Sequence, residues 1–135
     1  MRIRAGIGLV AASLCAGWLL SPGAVVAQAA TYPSGPFDAP YGATYTKGTA
    51  TFYNRAVGLV GEQKAVASSG CRATVADTYD SHDNPLGTSG TPFVCGASEK
   101  FTLTVGAEVA GGAAWVGVCL VDEDFKPLKC DAVLR

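Results

Sequence analysis

The sequence predicts an all-β protein: a small antiparallel β-sandwich, or a small barrel, of six to eight strands with two disulfides, following a cleaved signal peptide. Several short runs alternate between apolar and polar side chains, which is the period of a half-buried strand. Clusters of Gly, Pro, Asn, Asp and Ser separate these runs, as turns do. Four cysteines follow an export signal, a combination typical of small secreted domains.

The first 29 residues have the organisation of a secretion signal. Two arginines precede the uncharged apolar run Ala5–Leu20, helix breakers follow it, and Ala27-Gln28-Ala29 forms a small-x-small cleavage site. We expect cleavage after Ala29. A retained anchor helix is the alternative, although its apolar run is short for a membrane span. A lipoprotein signal would use Cys15, but the bulky Leu14 stands where such signals have a small residue.

The elements that follow are extended throughout. Residues 30–43 contain three prolines, which remove backbone donors, so we predict a Pro-rich extended lead-in and assign the β-sandwich domain to residues 44–135. Trp115 lies in the most apolar run, and we expect it in the core. The predicted strands, in chain order, are Thr44–Asn54, Cys71–Asp80, Lys100–Val105, Ala114–Val121 and Leu128–Arg135.

Two segments between these runs are rich in turn formers. Ser81–Gly90 contains S-H-D-N-P-L-G followed by T-S-G, and Asp122–Pro127 reads D-E-D-F-K-P. Each segment lies between two predicted runs, so each is expected to project from the sandwich as a loop.

The four cysteines of the exported chain fall on this framework in pairs. Cys119 and Cys130 flank the acidic turn, and Cys71 and Cys95 bracket the longer turn region. This placement favours Cys71–Cys95 and Cys119–Cys130, while the two other connectivities stay open. Zinc is the rival use of four cysteines, but no C-x-x-C pair is present.

The charge of the chain argues against two classes of partner. It carries 10 basic and 11 acidic side chains, and removal of the two signal arginines leaves a net charge of about −3. No basic run is present, so we expect no nucleic-acid partner. No second apolar stretch approaches the length of a membrane span, so we expect no membrane association after signal cleavage.

Candidate binding residues lie in the two polar turns. The first turn contributes His82, Asp83 and Asn84, and the second contributes Asp122, Glu123, Asp124 and Phe125. Calcium is an alternative use of these carboxylates, but their spacing departs from the D-x-D-x-D-G loop, and we expect solvated turns with no metal and no cofactor. His82 is the only histidine, and no G-x-S-x-G context accompanies it, so we expect no catalytic set.

Three segments resemble the small secreted two-disulfide β proteins of actinobacteria. They are Gly48–Asn54 (G-T-A-T-F-Y-N), Ser69–Val75 (S-G-C-R-A-T-V) and Val118–Asp122 (V-C-L-V-D). The α-amylase inhibitors of the tendamistat type are two-disulfide sandwiches of this kind, and they present a Trp-Arg-Tyr triplet. The nearest match here, Phe52-Tyr53-Asn54-Arg55, departs from that triplet, so no functional residue is transferred.

These observations together predict a secreted, non-catalytic binding or interaction module, with an inhibitor of an extracellular enzyme as its sharpest form. The partner would be an extracellular protein. A small-ligand or glycan-binding carrier is the second hypothesis, because Tyr45, Phe52, Tyr53 and Tyr79 either line a binding face or pack in the sandwich. A minimal hydrolase is the third, and the oligomeric state stays open.

Overall fold

A computed structural model describes residues 31–135, and it shows an all-β sandwich. Eight strands form two four-stranded antiparallel sheets, and the part of the chain described contains no helix. The predicted signal peptide and its cleavage site lie outside the described residues. The strands are β1 Ser34–Tyr41, β2 Thr44–Phe52, β3 Ala56–Lys64, β4 Ala73–Tyr79, β5 Pro85–Gly90, β6 Ser98–Gly106, β7 Trp115–Val121 and β8 Pro127–Leu134.

The chain passes three times between the two sheets. The first sheet has the order β1-β2-β3-β6 and the second β5-β4-β7-β8. Hairpins join β1 to β2, β2 to β3, β4 to β5 and β7 to β8, while the remaining connections cross the sandwich. Both predicted disulfides are present, Cys71–Cys95 and Cys119–Cys130. The prediction of a two-disulfide β-sandwich is therefore confirmed.

The N-terminal boundary of the sandwich differs from the prediction. The expected lead-in, residues 30–43, contains strand β1, which pairs with β2 along its whole length from Ser34 to Tyr41. Its prolines are tolerated because β1 is an edge strand, where a missing N–H can face away from the neighbour. Phe37 and Ala39 are buried, so this strand completes the core rather than leading into it.

Two further strands were absent from the sequence prediction. Strand β3 lies in the middle of the first sheet, and its inward side chains include Val57 and Leu59. Strand β5 occupies Pro85–Gly90, which the turn formers had assigned to a loop. It is an edge strand of the second sheet, and its small residues suit close contact between sheets: a Cβ on Gly87 would collide with the carbonyl oxygen of Gly106.

The apolar core lies between the two sheets. Gly48 and Gly61 are paired in neighbouring strands of the first sheet, and both lie against Phe37 of the core cluster. The rings of Phe37 and Phe101 lie 6.5 Å apart and cover the gap that these glycines leave. The other buried members of this cluster are Ala50, Phe52, Val57, Leu59, Ala76, Leu103, Val105, Ala107, Ala113, Val116, Val118 and Val133.

One end of the interior is polar. Thr74 Oγ1 donates to Gln63 Oε1 at 2.7 Å, and Thr91 Oγ1 donates to the same oxygen at 2.8 Å. Gln63 Nε2 in turn donates to the Pro92 carbonyl at 3.0 Å. Arg72 is 8% exposed, and its Nη1 donates to backbone carbonyls of Ser69 and Cys71. This buried network fixes the loop after β5 because the Gln63 side chain bonds to both Thr91 and Pro92 of that loop.

Candidate functional site

The two predicted binding turns repeat one sequence. Asp80–Leu86 reads D-S-H-D-N-P-L and Asp122–Leu128 reads D-E-D-F-K-P-L, so both fit D-x-x-x-x-P-L. In each case the aspartate follows an inner strand of the second sheet, and the proline begins an outer strand. We call residues 80–84 the first tip and residues 122–126 the second tip.

The second tip is a three-residue hairpin loop. The amide of Asp122 donates to the Lys126 carbonyl at 3.1 Å, and the amide of Phe125 donates to the Asp122 carbonyl at 3.0 Å. Phe125 has a φ of 60°, in the left-handed region. This is the hairpin in which a type I turn is followed by a left-handed residue, a position that favours glycine.

The first tip has the same hydrogen bonds. The amide of Asp80 donates to the Asn84 carbonyl at 3.0 Å, and the amide of Asp83 donates to the Asp80 carbonyl at 3.1 Å. Asp83 has a φ of 64° and therefore occupies the same place as Phe125. Aspartate visits this region more readily than most residues, whereas a bulky side chain there is an outlier.

The leading aspartate of each tip holds the loop through its carboxylate. Asp122 Oδ1 accepts from the amides of Lys126 and Asp124, both at 2.9 Å, and these bonds, led by that from Lys126, lower the pKa of Asp122. Asp80 Oδ1 accepts from the amides of Asn84 and His82. The pKa of Asp80 is lowered chiefly by its backbone hydrogen bond from Asn84.

The tips lie at opposite ends of the second sheet. Strands β4 and β7 are antiparallel neighbours, with Ala73 opposite Val121 and Tyr79 opposite Trp115. The first tip follows Tyr79, and the second follows Val121. The seven candidate residues therefore form two separate groups of three and four, not one site.

At the first tip, the left-handed residue has an internal partner. Asp83 Oδ1 accepts from the indole Nε1 of Trp115 at 2.8 Å. Trp115 stacks on Tyr79 with ring centroids 4.0 Å apart and an angle of 11° between planes. The expectation that Trp115 lies in the core is wrong: Val116 and Val118 point inward, so Trp115 belongs to the outer face.

His82 is exposed at the first tip. Its Nδ1 lies 3.5 Å from Ser81 Oγ, and the Asp80 carboxylate accepts from the backbone amide of His82 at 2.8 Å. Asp80 is thus committed to the loop backbone. Asn84 contributes its side chain to the same aspartate through Nδ2, at 3.1 Å from Asp80 Oδ2. The hydrogen bonds of these candidate residues therefore run mainly within the first tip.

At the second tip, the left-handed residue faces solvent. Phe125 is 62% exposed, and its ring lies 5.2 Å from that of Phe93, which is 36% exposed. Phe93 lies in the loop between β5 and β6, next to Val94, which forms a two-way backbone bridge with Arg72. The Cys71–Cys95 disulfide closes this loop against the start of β4.

The second tip also carries three acidic side chains, which precede Phe125 in the chain. Glu123 Oε1 accepts from the Cys71 amide at 2.9 Å, which ties the second tip to the segment before β4. Asp122, Glu123 and Asp124 also line a polar concavity of about 470 Å³ beside Arg72. We call Phe93, Phe125 and these three carboxylates the tip surface.

Sequence reasoning identified four of the five residues of the tip surface and missed Phe93. Phe93 stands 32 positions before Phe125, and no local pattern links them. The sequence did contain one signal for Phe125, the repeated motif D-x-x-x-x-P-L. In its second copy, Phe125 stands at the left-handed position where a glycine or an aspartate is expected. Within residues 31–135, no cluster of three or more His, Cys, Asp or Glu side chains is arranged to hold a metal ion.

No helix long and apolar enough to cross a membrane occurs in the described part of the chain. No protein-family model, curated protein or solved structure matches the sequence or the fold.

Proposed function

We propose that this protein is a secreted, non-catalytic module that binds an extracellular protein through the tip surface. The observation that carries the proposal is Phe125, an aromatic side chain that is 62% exposed while its backbone is left-handed. A bulky residue in that region costs about 1–2 kcal/mol relative to an ordinary conformation. Outliers of this kind concentrate at functional sites.

The first tip supports the argument by comparison. It has the same loop and a left-handed residue at the same place, but there Asp83 is tolerated and bonds to Trp115. Nothing in the loop geometry therefore requires a phenylalanine. The ring of Phe125 packs at a tilt on that of Phe93, which is itself exposed. Display to a partner gives both aromatic side chains a role, since buried aromatic anchors dominate protein interfaces.

The tip surface is also braced. The Cys119–Cys130 disulfide joins directly opposed residues of β7 and β8 below the second tip. Cys71–Cys95 and the bond from the Cys71 amide to Glu123 hold the neighbouring loop. A preorganised surface loses little conformational entropy on binding, which favours affinity. This rigidity suits an inhibitor of an extracellular enzyme, the sharpest form of the proposal.

The charges around Phe125 indicate what the partner surface offers. Three carboxylates precede it in the chain, while Lys126 follows it and Arg72 lies beside the concavity that the carboxylates line. We infer an apolar pocket on the partner that receives the ring and a basic rim that faces the carboxylates. Association should then slow as salt is added, because charge steering is screened. Export is part of the proposal, and the two disulfides support it.

The test compares three forms of the oxidised protein as immobilised bait for the culture fluid and cell-wall extract of the producing organism. The wild type is compared with Phe125→Gly, which suits the left-handed backbone, and with His82→Ala, the matched control at the first tip. We expect mass spectrometry to identify a stoichiometric protein held by wild type and His82→Ala but lost with Phe125→Gly. Equal retention by all three would assign binding to another surface and reject this one.

A further inference from the structure

A shallow trough crosses the outer face of the second sheet, away from the tip surface. It has a volume of about 280 Å³ and is lined by side chains of β4, β7 and β8. It shares no residue with the tip surface, so it is independent of the proposed protein contact. Its lining is mostly apolar and includes two aspartates, Asp77 and Asp131, and an apolar lining with a few polar groups is the usual make-up of a small-molecule site.

The aromatic wall of the trough is the stacked pair Tyr79 and Trp115. The indole is held by its bond to Asp83, which therefore fixes the ring plane. A register shift between Thr78 and Tyr79 interrupts the pairing of β4 with β5 at this point. Bulges of this kind re-aim side chains and are frequent beside binding sites.

The floor is formed by small residues that are paired across β7 and β8, Gly117 and Ala132. A Cβ on Gly117 would lie 3.4 Å from Cζ3 of Trp115 and 3.8 Å from Cε2 of Tyr79, so both rings lean over the floor. The Cys119–Cys130 disulfide lies two register pairs further along, on the same face, and also lines the trough. The trough therefore has a floor of small residues and an aromatic wall.

Two carboxylates border the trough, and they differ in what they can offer a ligand. Asp131 is already engaged, because Oδ2 accepts from the Asp38 amide at 2.8 Å and Oδ1 from the Ala132 amide at 3.0 Å. Asp77 lies on the outward face of β4, opposite Gly117, and lines the trough with its side chain half-buried. Asp77 is thus the acceptor placed to meet ligand hydroxyl groups.

We propose that this trough binds one pyranose ring of a saccharide whose hydroxyl groups are equatorial, as in glucose or N-acetylglucosamine. Such a ring presents axial C–H bonds on its faces, which suit the aromatic wall, and hydroxyl donors at its edge, which suit Asp77. A planar aromatic ligand would use the wall but make no hydrogen bond to the carboxylate. The volume of about 280 Å³ matches one sugar unit rather than a chain of them.

The test is an NMR titration of the oxidised full protein with cellotriose and with tri-N-acetylchitotriose. The indole N–H signal of Trp115 is assigned by its loss in Trp115→Phe. We expect a saturable shift of this signal with at least one trisaccharide, and none with sorbitol, which has the hydroxyl groups but no ring. Asp77→Asn should weaken binding about tenfold, because a charge-assisted hydrogen bond is lost. Ala132→Leu should abolish binding by filling the floor.

Asp124→Asn, in the tip surface, is the control variant and should bind the sugar as the wild type does. Unchanged amide spectra outside the trough would show that the variants are folded. Absence of a saturable shift with both trisaccharides would overturn the proposal. An equal affinity for Asp77→Asn and wild type would also overturn it, and an equal response to sorbitol would show that the shift is non-specific.

Discussion

The backbone of Phe125 provides the sharpest test of the tip surface. Its left-handed φ of 60° predicts that glycine is preferred there over alanine, although glycine is normally the less stable of the two. Asp124 is its matched control: it is exposed in the same loop, and its φ is not positive. We therefore compare Phe125→Gly with Phe125→Ala, and Asp124→Gly with Asp124→Ala.

The expected magnitude follows from two opposing effects. Glycine costs about 0.5–1 kcal/mol relative to alanine because it loses more backbone entropy on folding. Release of the Cβ clash in the left-handed region returns about 1–2 kcal/mol. At position 125 glycine should therefore be the more stable residue by roughly 0.5–1 kcal/mol, whereas at position 124 it should be less stable by a similar amount. The contact with Phe93 cancels, since both replacements remove the ring.

Urea denaturation of the four variants measures this comparison. The free energy of unfolding of the glycine variant minus that of the alanine variant should be about 1–2 kcal/mol larger at position 125 than at position 124. This value is the cost of placing a Cβ in the left-handed region. The slopes should agree, so that shifts in midpoint report stability alone. If glycine and alanine have the same order at both positions, Phe125 is not held in a left-handed conformation, and the argument that its strain reflects function fails.

Three further predictions concern the scaffold. Replacing Cys71 and Cys95 by serine should lower the free energy of unfolding by about 3.5 kcal/mol, and replacing Cys119 and Cys130 should lower it by about 3 kcal/mol. The two values differ because the disulfides close loops of different length, with sequence separations of 24 and 11. Urea denaturation measures both. Gly48→Ala should lower the free energy of unfolding, measured by thermal denaturation, by about 2 kcal/mol or more. The new Cβ would meet the Val60 carbonyl and lie 2.9 Å from Phe37 Cζ. Gly106→Ala is the control, because a Cβ at Gly106 has open space and should leave the stability unchanged or raise it. The pKa values of Asp80 and Asp122 are lowered in the fold. The stabilisation that their ionised forms give is therefore complete above the unfolded value of about 3.9 and is lost as the pH falls through the lowered values. The double variant with asparagine at both positions should lose stability less steeply in acid than the wild type does.

Most strands that sequence patterns predicted have one apolar and one polar face, whereas β7 was predicted from its continuous apolar run. In β6, Leu103 and Val105 point inward while Thr102 and Thr104 face solvent, so the alternation is visible without a structure. The disulfide pairs followed from the same framework, because Cys119 and Cys130 stand directly opposite each other once β7 and β8 are placed. Local periodicity was sufficient for these elements.

The strands that were missed do not show a clear alternation of apolar and polar residues, and the reasons can be identified. In β3, glycines occupy both faces and the outward Val60 is as apolar as the inward Leu59. In β1 and β5, proline and glycine read as lead-in and turn, although an edge strand accepts both. Edge position is a property of the whole sheet, and no local window contains it.

The candidate site divides in the same way. The turn residues were identified because turn chemistry is local, as in the aspartate that caps each loop. The placement of Trp115 on the outer face could not be identified from the sequence, because β7 is apolar on both sides. The hydrogen-bond partner of its indole, Asp83, lies 32 positions away in the chain. The pairing of Phe93 with Phe125 likewise depends on how two loops meet at one end of the sandwich.

The two tips show how one loop can serve two purposes in the same sheet. Both use an aspartate to close the turn, and both force their third loop residue into the left-handed region. At the first tip that residue is exposed but bonds to the outer face of the sheet, where Asp83 positions Trp115 in the wall of the trough. At the second tip the residue is turned outward, and Phe125 is displayed beside Phe93. The backbone angle is similar in both loops, so the difference between them lies in what the side chain contacts. Asp83 accepts a hydrogen bond from the half-buried Trp115, whereas Phe125 packs on the ring of Phe93, which is itself exposed. Under the proposed function, a protein partner would cover these two exposed rings.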